Sequence, residues 1–216
     1  MKYNSVVFDL DGTLLDTLGD LRDSVNFALE KNGLPKRTTE EIRSFVGNGI
    51  RLLIERSVPD AATAELTDKC FSDFKEYYKD HSAILTKPYD GIIDLMKELK
   101  LKGVKIAVVS NKADFAVKTL MEDYFKGLYD CAYGERAGVP RKPAPDGVFG
   151  AVSDMGSEIE NTVYIGDSDV DVETAGNAKL PCIAVTWGFR DKEVLESLGP
   201  EYIVDSPDAI LEIIER

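Results

Sequence analysis

Asp9 and Asp11 stand two residues apart at the end of an apolar run, in "VVFDLDGTLLDT" (6–17). On a strand, side chains two apart share a face, so both carboxylates leave the run on one side. Gly12 follows and lets the backbone turn sharply, although Asp-Gly alone is also an ordinary turn signal. Other apolar runs end in the same way. "VVSNK" (108–112) carries Ser110 and Asn111 just past its valines, and "YIGDSDVD" (164–171) carries Asp167, Asp169 and Asp171. Asp167 and Asp171 are four apart, which sets both on one face of a helix's first turn. Ser168 and Asp169 also suit the N-terminus of that helix. Where these ends converge, Asp9, Asp11, Asp167 and Asp171 crowd four like charges that raise one another's pKa values. A hard divalent cation resolves the conflict, and Mg²⁺ takes carboxylate oxygens, waters and a substrate phosphate. A fixed ammonium would help too, and Lys142 in the Pro-rich "GVPRKPAPD" (138–146) is the candidate.

These residues need elements to bring them together. Short Val/Ile-rich runs predict strands at 5–10, 104–110, 130–134, 162–167, 182–186 and 202–204, with amphipathic helices at 91–102, 113–124, 145–155, 169–179, 191–198 and 207–215. Apolar strands alternating with helices imply an α/β fold, a doubly wound parallel sheet with helices on both faces. In such sheets the active site lies at the carboxyl ends of the strands. Residues 16–87 break the alternation. They predict helices near 18–32, 39–46, 49–57 and 61–80, separated by "GLPKR" (33–37), "GNG" (47–49) and "SVPD" (57–60). The expected organisation is a core of residues 1–15 and 88–216, interrupted after its first strand by an all-helical domain of residues 16–87.

Composition narrows the partners. The chain has 216 residues, 44% of them hydrophobic, and a formal net charge of −13, which disfavours a phosphate backbone as partner because that calls for a basic surface. A small anionic substrate remains compatible, given a local cation. Cys70, Cys131 and Cys182 show no CxxC spacing, so neither a disulfide framework nor a zinc site is expected. No run approaches the ~20 apolar residues of a membrane span, and the N-terminus enters a strand-like run directly. The expectation is a cytoplasmic protein, monomer or homodimer, with neither nucleic acid nor membrane as partner.

Together these motifs resemble the haloacid dehalogenase superfamily of phosphohydrolases. "DLDGT" (9–13), Ser110, Lys142 and "GDSDVD" (166–171) match its four motifs in order, and the helical insert matches the family's cap inserted after the first motif. The resemblance implies that Asp9 is the nucleophile and forms an aspartyl-phosphate. It implies that Asp11 protonates the leaving oxygen and then activates water. Within that resemblance, an acid at position 11 implies phosphate esters rather than dehalogenation, and so an enzyme with a small phosphorylated metabolite as partner. Mg²⁺ would be held by the Asp9 carboxylate, the Asp11 backbone carbonyl and Asp167, with Asp171 supporting the metal or its waters. Ser110 and Asn111 would hold phosphoryl oxygens, and Lys142 would neutralise charge on Asp9 and the phosphate.

Substrate choice falls to the cap. "VGNGIRLLIERS" (46–57) reads either as a Gly-rich break between helices or as a loop whose Gly47, Asn48 and Gly49 amides face an anion, with Arg51 in the following first turn. This stretch, "YGERAGVPRKPAPD" (133–146) and "AVTWGF" (184–189) resemble the phosphoglycolate phosphatase subfamily; one departure is Lys179 in "NAKLP" (177–181), where relatives carry glycine. Pyrophosphatase, 5′-nucleotidase and sugar-phosphate phosphatase or mutase remain alternatives within the superfamily. The mutases of this type carry a histidine soon after the first motif, and "TLGDLRDS" (17–24) has none; the single histidine, His81, falls near the end of the last cap helix. A receiver-like phospho-switch would share the residue types, but it keeps its acidic pair and its phosphorylated Asp on different strands.

Overall fold

Strand β1 (Ser5–Phe8) is buried along its whole length. Val6 and Phe8 pack into a hydrophobic cluster on one side of it, and Val7 packs into a second cluster on the other. A strand buried on both faces needs helices on both, and that fixes the architecture. The computed structural model describes residues 2–216. β1 pairs in parallel with β4 (Lys105–Ala113) on one side and β6 (Thr162–Gly166) on the other. β5 (Cys131–Glu135) extends the sheet beyond β4, and β7 (Cys182–Val185) and β8 (Tyr202–Val204) extend it beyond β6. The order β5-β4-β1-β6-β7-β8 is that of a doubly wound α/β sheet. Helices α5 (Ile92–Leu101), α6 (Asp114–Phe125) and α10 (Pro207–Glu215) supply Ile92, Met96, Val117, Leu120, Ile210 and Ile214 to the first cluster. Helices α7 (Asp146–Asp154) and α8 (Asp169–Ala178) supply Val148, Ala151, Val152, Ala175 and Ala178 to the second. α9 (Lys192–Leu198) lies between β7 and β8 in the chain. Strand order reverses at β1 and β6, so their carboxyl ends flank the crevice where such sheets bind ligands.

The sheet departs from expectation at one strand end. β4 continues through Ser110, Asn111 and Lys112 to Ala113, with a register irregularity against β5 between Val109 and Ala113. Gly134 allows it: a Cβ there would lie 2.5 Å from the Lys112 carbonyl oxygen, so only glycine lets the two backbones come this close.

The chain divides into two compact units, one comprising the residues up to Leu15 with Pro88–Arg216, the other Asp16–Lys87. A two-stranded ribbon of β2 (Leu15–Asp16) and β3 (Lys87–Pro88) lies at this division. The second unit is helical, with α1 (Leu18–Lys31), α2 (Thr39–Phe45), α3 (Ile50–Ser57) and α4 (Ala64–His81). Its ends are capped by sequence: Thr38 and Glu41 form a capping box on α2, and Thr63 accepts from Leu66 N at the start of α4. Val25, Ala28 and Leu29 of α1 and Cys70, Phe74 and Tyr78 of α4 are buried. Buried Asp20 ties α1 to the segment after α4, accepting from Leu85 N at 2.9 Å, Thr86 N at 2.8 Å and Thr86 Oγ1 at 2.7 Å. Among the described residues, no helix is long and apolar enough to cross a membrane.

Two stability outcomes follow from these contacts. Asp20→Ala removes the acceptor shared by the Leu85 and Thr86 amides while the Thr86 hydroxyl keeps the Ser82 carbonyl, and should cost about 2–3 kcal/mol in urea unfolding; a loss below ~0.5 kcal/mol would mean that water replaces the carboxylate. Lys179, at the C-cap of α8, has φ 59°, in the left-handed region that costs a side chain roughly 1 kcal/mol. Lys179→Gly should therefore raise stability by about 0.5–1 kcal/mol, and an unchanged or lower denaturation midpoint would show that the lysine side chain offsets its backbone strain.

Candidate active site

Asp9 leaves β1 with its amide still bonded to the Ile165 carbonyl of β6 at 2.9 Å, so the ladder itself sets its position. Gly12, at φ 88°, turns the chain over the end of β6; a Cβ there would stand 2.4 Å from Asp167 Oδ2. The next residue, Thr13, donates its hydroxyl to Asp167 Oδ1 at 3.0 Å. The loop after β7 closes the opposite side. Phe189 N donates to Asp167 Oδ2 at 2.7 Å, Trp187 Nε1 donates to the Thr13 carbonyl at 3.1 Å, and a Cβ on Gly188 would lie 2.3 Å from the Asp167 Cβ. Asp167 is thus held by two glycine-floored loops, one after β1 and one after β7.

Three carboxylates meet here. One oxygen from each of Asp9, Asp167 and Asp171, all buried, lies within 4.8 Å of the others. Lys142 enters the same space, with Nζ 2.8 Å from Asp9 Oδ1 and 2.8 Å from Asp171 Oδ1. Its contact with Asp171 is a hydrogen bond, and the Tyr164 hydroxyl also donates to Asp171 Oδ1 at 3.0 Å. Its contact with Asp9 is an ion-pair distance without hydrogen-bond alignment, so Asp9 Oδ1 is buried with no hydrogen-bond donor upon it. Asp171 Oδ2 accepts from Ser168 Oγ at 2.6 Å, Ser168 N at 3.0 Å and Asp167 N at 3.2 Å. Asp171 therefore lies in the first turn of α8 and reaches back over its start, whereas Asp167 precedes the helix altogether. The two do not share a helix face.

The electrostatics follow from this arrangement. Burial, then the charges of Asp171 and Asp167, push Asp9 well above the ordinary carboxylate range, and Lys142 opposes them only in part. Burial and the Asp171 charge raise Asp167 to about 7, against the bonds from Phe189 and Thr13. Burial alone would raise Asp171, but the charge and hydrogen bond of Lys142, with those from Ser168 and Tyr164, outweigh it and hold that carboxyl below its usual value. Burial would lower Lys142, and the charges of Asp171 and Asp9 hold it well above the usual value for lysine. Lys142 and Asp171 thus favour each other's charged forms, whereas Asp9 and Asp167 are pushed toward their neutral forms.

The other strand-end residues sit beside this cluster. The Asp11 carboxylate turns away from it, accepting from Lys112 Nζ at 2.7 Å through Oδ1, with Ser110 Oγ 3.5 Å from Oδ2. Ser110 Oγ also accepts from Lys112 N at 3.1 Å, and Asn111 Nδ2 donates to the Lys142 carbonyl at 3.0 Å, linking the β4 end to the lysine loop. In the helical unit, Gly47 has φ 118° and Gly49, at φ 84°, precedes α3, with half-buried Asn48 between them. Arg51 is committed within that unit: its guanidinium pairs with Glu55 at 2.6 Å and Asp68 at 2.5 Å and lies over the Phe71 ring. Sequence reasoning passed over Thr13, Tyr164, Gly188, Phe189 and Lys112. Only Lys112 carried a usable signal, being two residues beyond Ser110 and so on the same side of the strand.

The residues present fit a hard divalent cation. The donors are all oxygen, Asp9 offers a buried oxygen without a hydrogen-bond donor, and Gly12 and Gly188 keep the Asp167 surroundings clear of side chains.

The family description "Haloacid dehalogenase-like hydrolase" matches residues 6–185. "Phosphoglycolate phosphatase 1" of Pseudomonas aeruginosa is 33% identical over 93% of this chain and 76% of its own length. A second protein of that organism, "N-acetylmuramic acid 6-phosphate phosphatase", is 28% identical over 100% of this chain and 96% of its own length. A crystal structure from Lactobacillus delbrueckii subsp. bulgaricus, provisionally named a phosphoglycolate phosphatase, is 40% identical, with TM-score 0.94 and 99% of each chain covered.

A carboxyl raised to about 7 in the folded chain gives a defined pH signature. Its contribution to stability is complete below the unfolded value near 4 and is lost as pH rises through about 7. A cation bound to the same oxygens competes with the proton, so millimolar Mg²⁺ should raise Tm by several degrees at about pH 8 and by little at about pH 5.5. Asp167→Asn should abolish the Mg²⁺ increment at both. An equal increment at the two pH values in the parent chain would place the ion elsewhere.

Proposed function

The chain belongs to the haloacid dehalogenase-like hydrolase family, and on that premise we propose a Mg²⁺-dependent phosphatase that cleaves a small phosphomonoester through an aspartyl-phosphate on Asp9. The observation that carries this reading is the Asp9 carboxylate, buried at the sheet's switch point with Oδ1 2.8 Å from the Lys142 ammonium and inside the cluster with Asp167 and Asp171. A carboxylate with a cation on one oxygen has the other for attack on phosphorus.

Each step has a residue for it. Asp9 forms the new O–P bond as the ester P–O bond breaks, and Asp11 delivers its proton to the departing oxygen. In the second step Asp11, now a carboxylate, takes a proton from water as the water oxygen bonds to phosphorus and the Asp9–phosphorus bond breaks. Inorganic phosphate leaves, and Asp11 is protonated again. Ser110 Oγ and Asn111 Nδ2 stand at the end of β4 as donors for the phosphoryl oxygens. Lys142 neutralises charge on Asp9 while Asp171 and Tyr164 fix its ammonium. Mg²⁺ on Asp9, Asp167 and the Asp11 backbone carbonyl would supply Lewis-acid stabilisation of charge on the transferring group. The helical unit 16–87 is read as the cap of this fold, where substrate preference resides.

2-Phosphoglycolate is the substrate this reading puts first. It is supported by the names of several relatives and by the 46–57, 133–146 and 184–189 stretches. The alternatives are a pyrophosphatase, a nucleotidase or a sugar-phosphate phosphatase, the last favoured by the N-acetylmuramic acid 6-phosphate relative.

Phosphate release with Mg²⁺ across 2-phosphoglycolate, N-acetylmuramic acid 6-phosphate, pyrophosphate, nucleoside monophosphates, hexose phosphates and p-nitrophenyl phosphate tests the assignment. A kcat/KM for phosphoglycolate about 100-fold above the rest, roughly 2.7 kcal/mol of discrimination, is the expected result. Asp9→Asn should abolish turnover with the fold intact by circular dichroism, and retained activity would remove the nucleophile. A flat, slow profile would keep the phosphatase and discard phosphoglycolate.

A further inference from the structure

The core unit buries two lysines at its active end, and only Lys142 has a part in the chemistry described so far. Lys112 is the other. Its side chain is 3% exposed, and its ammonium lies 2.7 Å from Asp11 Oδ1, on a carboxylate that is 19% exposed. We propose that Lys112 is the positioning residue for Asp11: its ammonium fixes one carboxylate oxygen, Oδ1, so that the other, Oδ2, is presented for proton transfer. The inference rests on the phosphatase reading above.

Three observations carry it. First, the two oxygens of Asp11 are held unequally. Oδ1 has a short, charge-assisted bond to Lys112, whereas Ser110 Oγ stands 3.5 Å from Oδ2, the outer limit of a hydrogen bond. A group that must give a proton in one step and take one in the next needs an oxygen without a strong partner and a carboxylate plane that does not rotate. Second, the lysine is itself braced. Its amide donates to Ser110 Oγ at 3.1 Å, and its carbonyl is pressed so closely by β5 that Gly134 can carry no side chain. Third, the lysines at the active end are shared out among its carboxylates rather than pooled on one. The two lysines serve different acids: Lys142 contacts Asp9 and Asp171, and Lys112 contacts Asp11.

The test separates positioning of a proton donor from general support of the site. An alkyl leaving group needs the Asp11 proton, whereas p-nitrophenolate leaves almost without it. In Lys112→Met, kcat/KM should fall about 30-fold or more for 2-phosphoglycolate (or glucose 6-phosphate, if that is the better alkyl ester) and far less, about threefold, for p-nitrophenyl phosphate. Lys112→Arg should recover most of the alkyl-ester rate. In an Asp11→Asn background, adding Lys112→Met should cost less than about twofold on either ester. Equal losses on both esters, or full additivity with Asp11→Asn, would overturn the proposal and assign Lys112 to the phosphoryl group or the fold. Undiminished alkyl-ester activity would overturn it as well. Should Lys112→Met fail to fold by circular dichroism, Lys112→Gln carries the same comparison. A parent chain that hydrolyses neither ester overturns the phosphatase reading itself, a failure distinct from loss of the ester-dependent split in an active enzyme.

Discussion

Three carboxylates share a buried space at the end of the sheet, and much of the surrounding structure answers the repulsion between them. Oxygens of Asp9, Asp167 and Asp171 within 4.8 Å of one another cannot all ionise in a dry site without compensation. Lys142 supplies one positive charge and places it between Asp9 and Asp171. That leaves one positive charge against three negative ones. The remaining imbalance is stored as raised pKa values on Asp9 and Asp167, which is the condition for binding a divalent cation tightly and for having a carboxylate oxygen to spare.

Several local features follow from that crowding. Gly12, Gly166 and Gly188 each face an aspartate where a Cβ would stand 2.4 Å or less from a side-chain atom of Asp167 or Asp171. Glycine at these three points lets strand-end loops close over the carboxylates rather than around them. Thr13, Phe189 N and Ser168 then provide the donors that keep Asp167 and Asp171 in fixed orientations. The loops are joined to one another through Trp187, whose indole nitrogen donates to the Thr13 carbonyl. Cavity shape and charge placement therefore come from the same residues.

Periodicity made the sheet legible in the sequence, because strands buried on both faces read as unbroken apolar runs and their order with the helices dictates parallel pairing. Seven of the polar residues that end those runs are visible by type alone. The partners were not. Tyr164 looks like one more apolar residue of β6 until its hydroxyl is seen on Asp171, and Phe189 contributes only its backbone amide. Lys112 lies beyond the strand that the apolar run predicts, which ends at Ser110, whereas β4 runs on to Ala113 through an irregular register that no propensity scale anticipates. In the helical unit, a Gly-rich loop followed by arginine suggested an anion site. Glu55, a turn later in the sequence, and Asp68, in another helix, take that arginine instead, and the second of these pairings depends on tertiary packing.

Asp167 and Asp171 show how far environment, rather than residue type, assigns a role. They are the same residue four positions apart, both buried, yet one carboxyl is raised to about 7 and the other is lowered. Burial raises both. The difference lies in what each oxygen meets: Asp171 collects a lysine, a tyrosine hydroxyl, a serine hydroxyl and two amides, whereas Asp167 meets one hydroxyl and one amide and keeps lone pairs unspent. A carboxylate saturated with donors is an orienting group, and one left under-supplied is a ligand. Asp171 is thereby tied to Lys142 and the start of α8, while Asp167 keeps lone pairs open beside it. The sequence spacing that made them look equivalent is the feature that places them on opposite sides of a helix start.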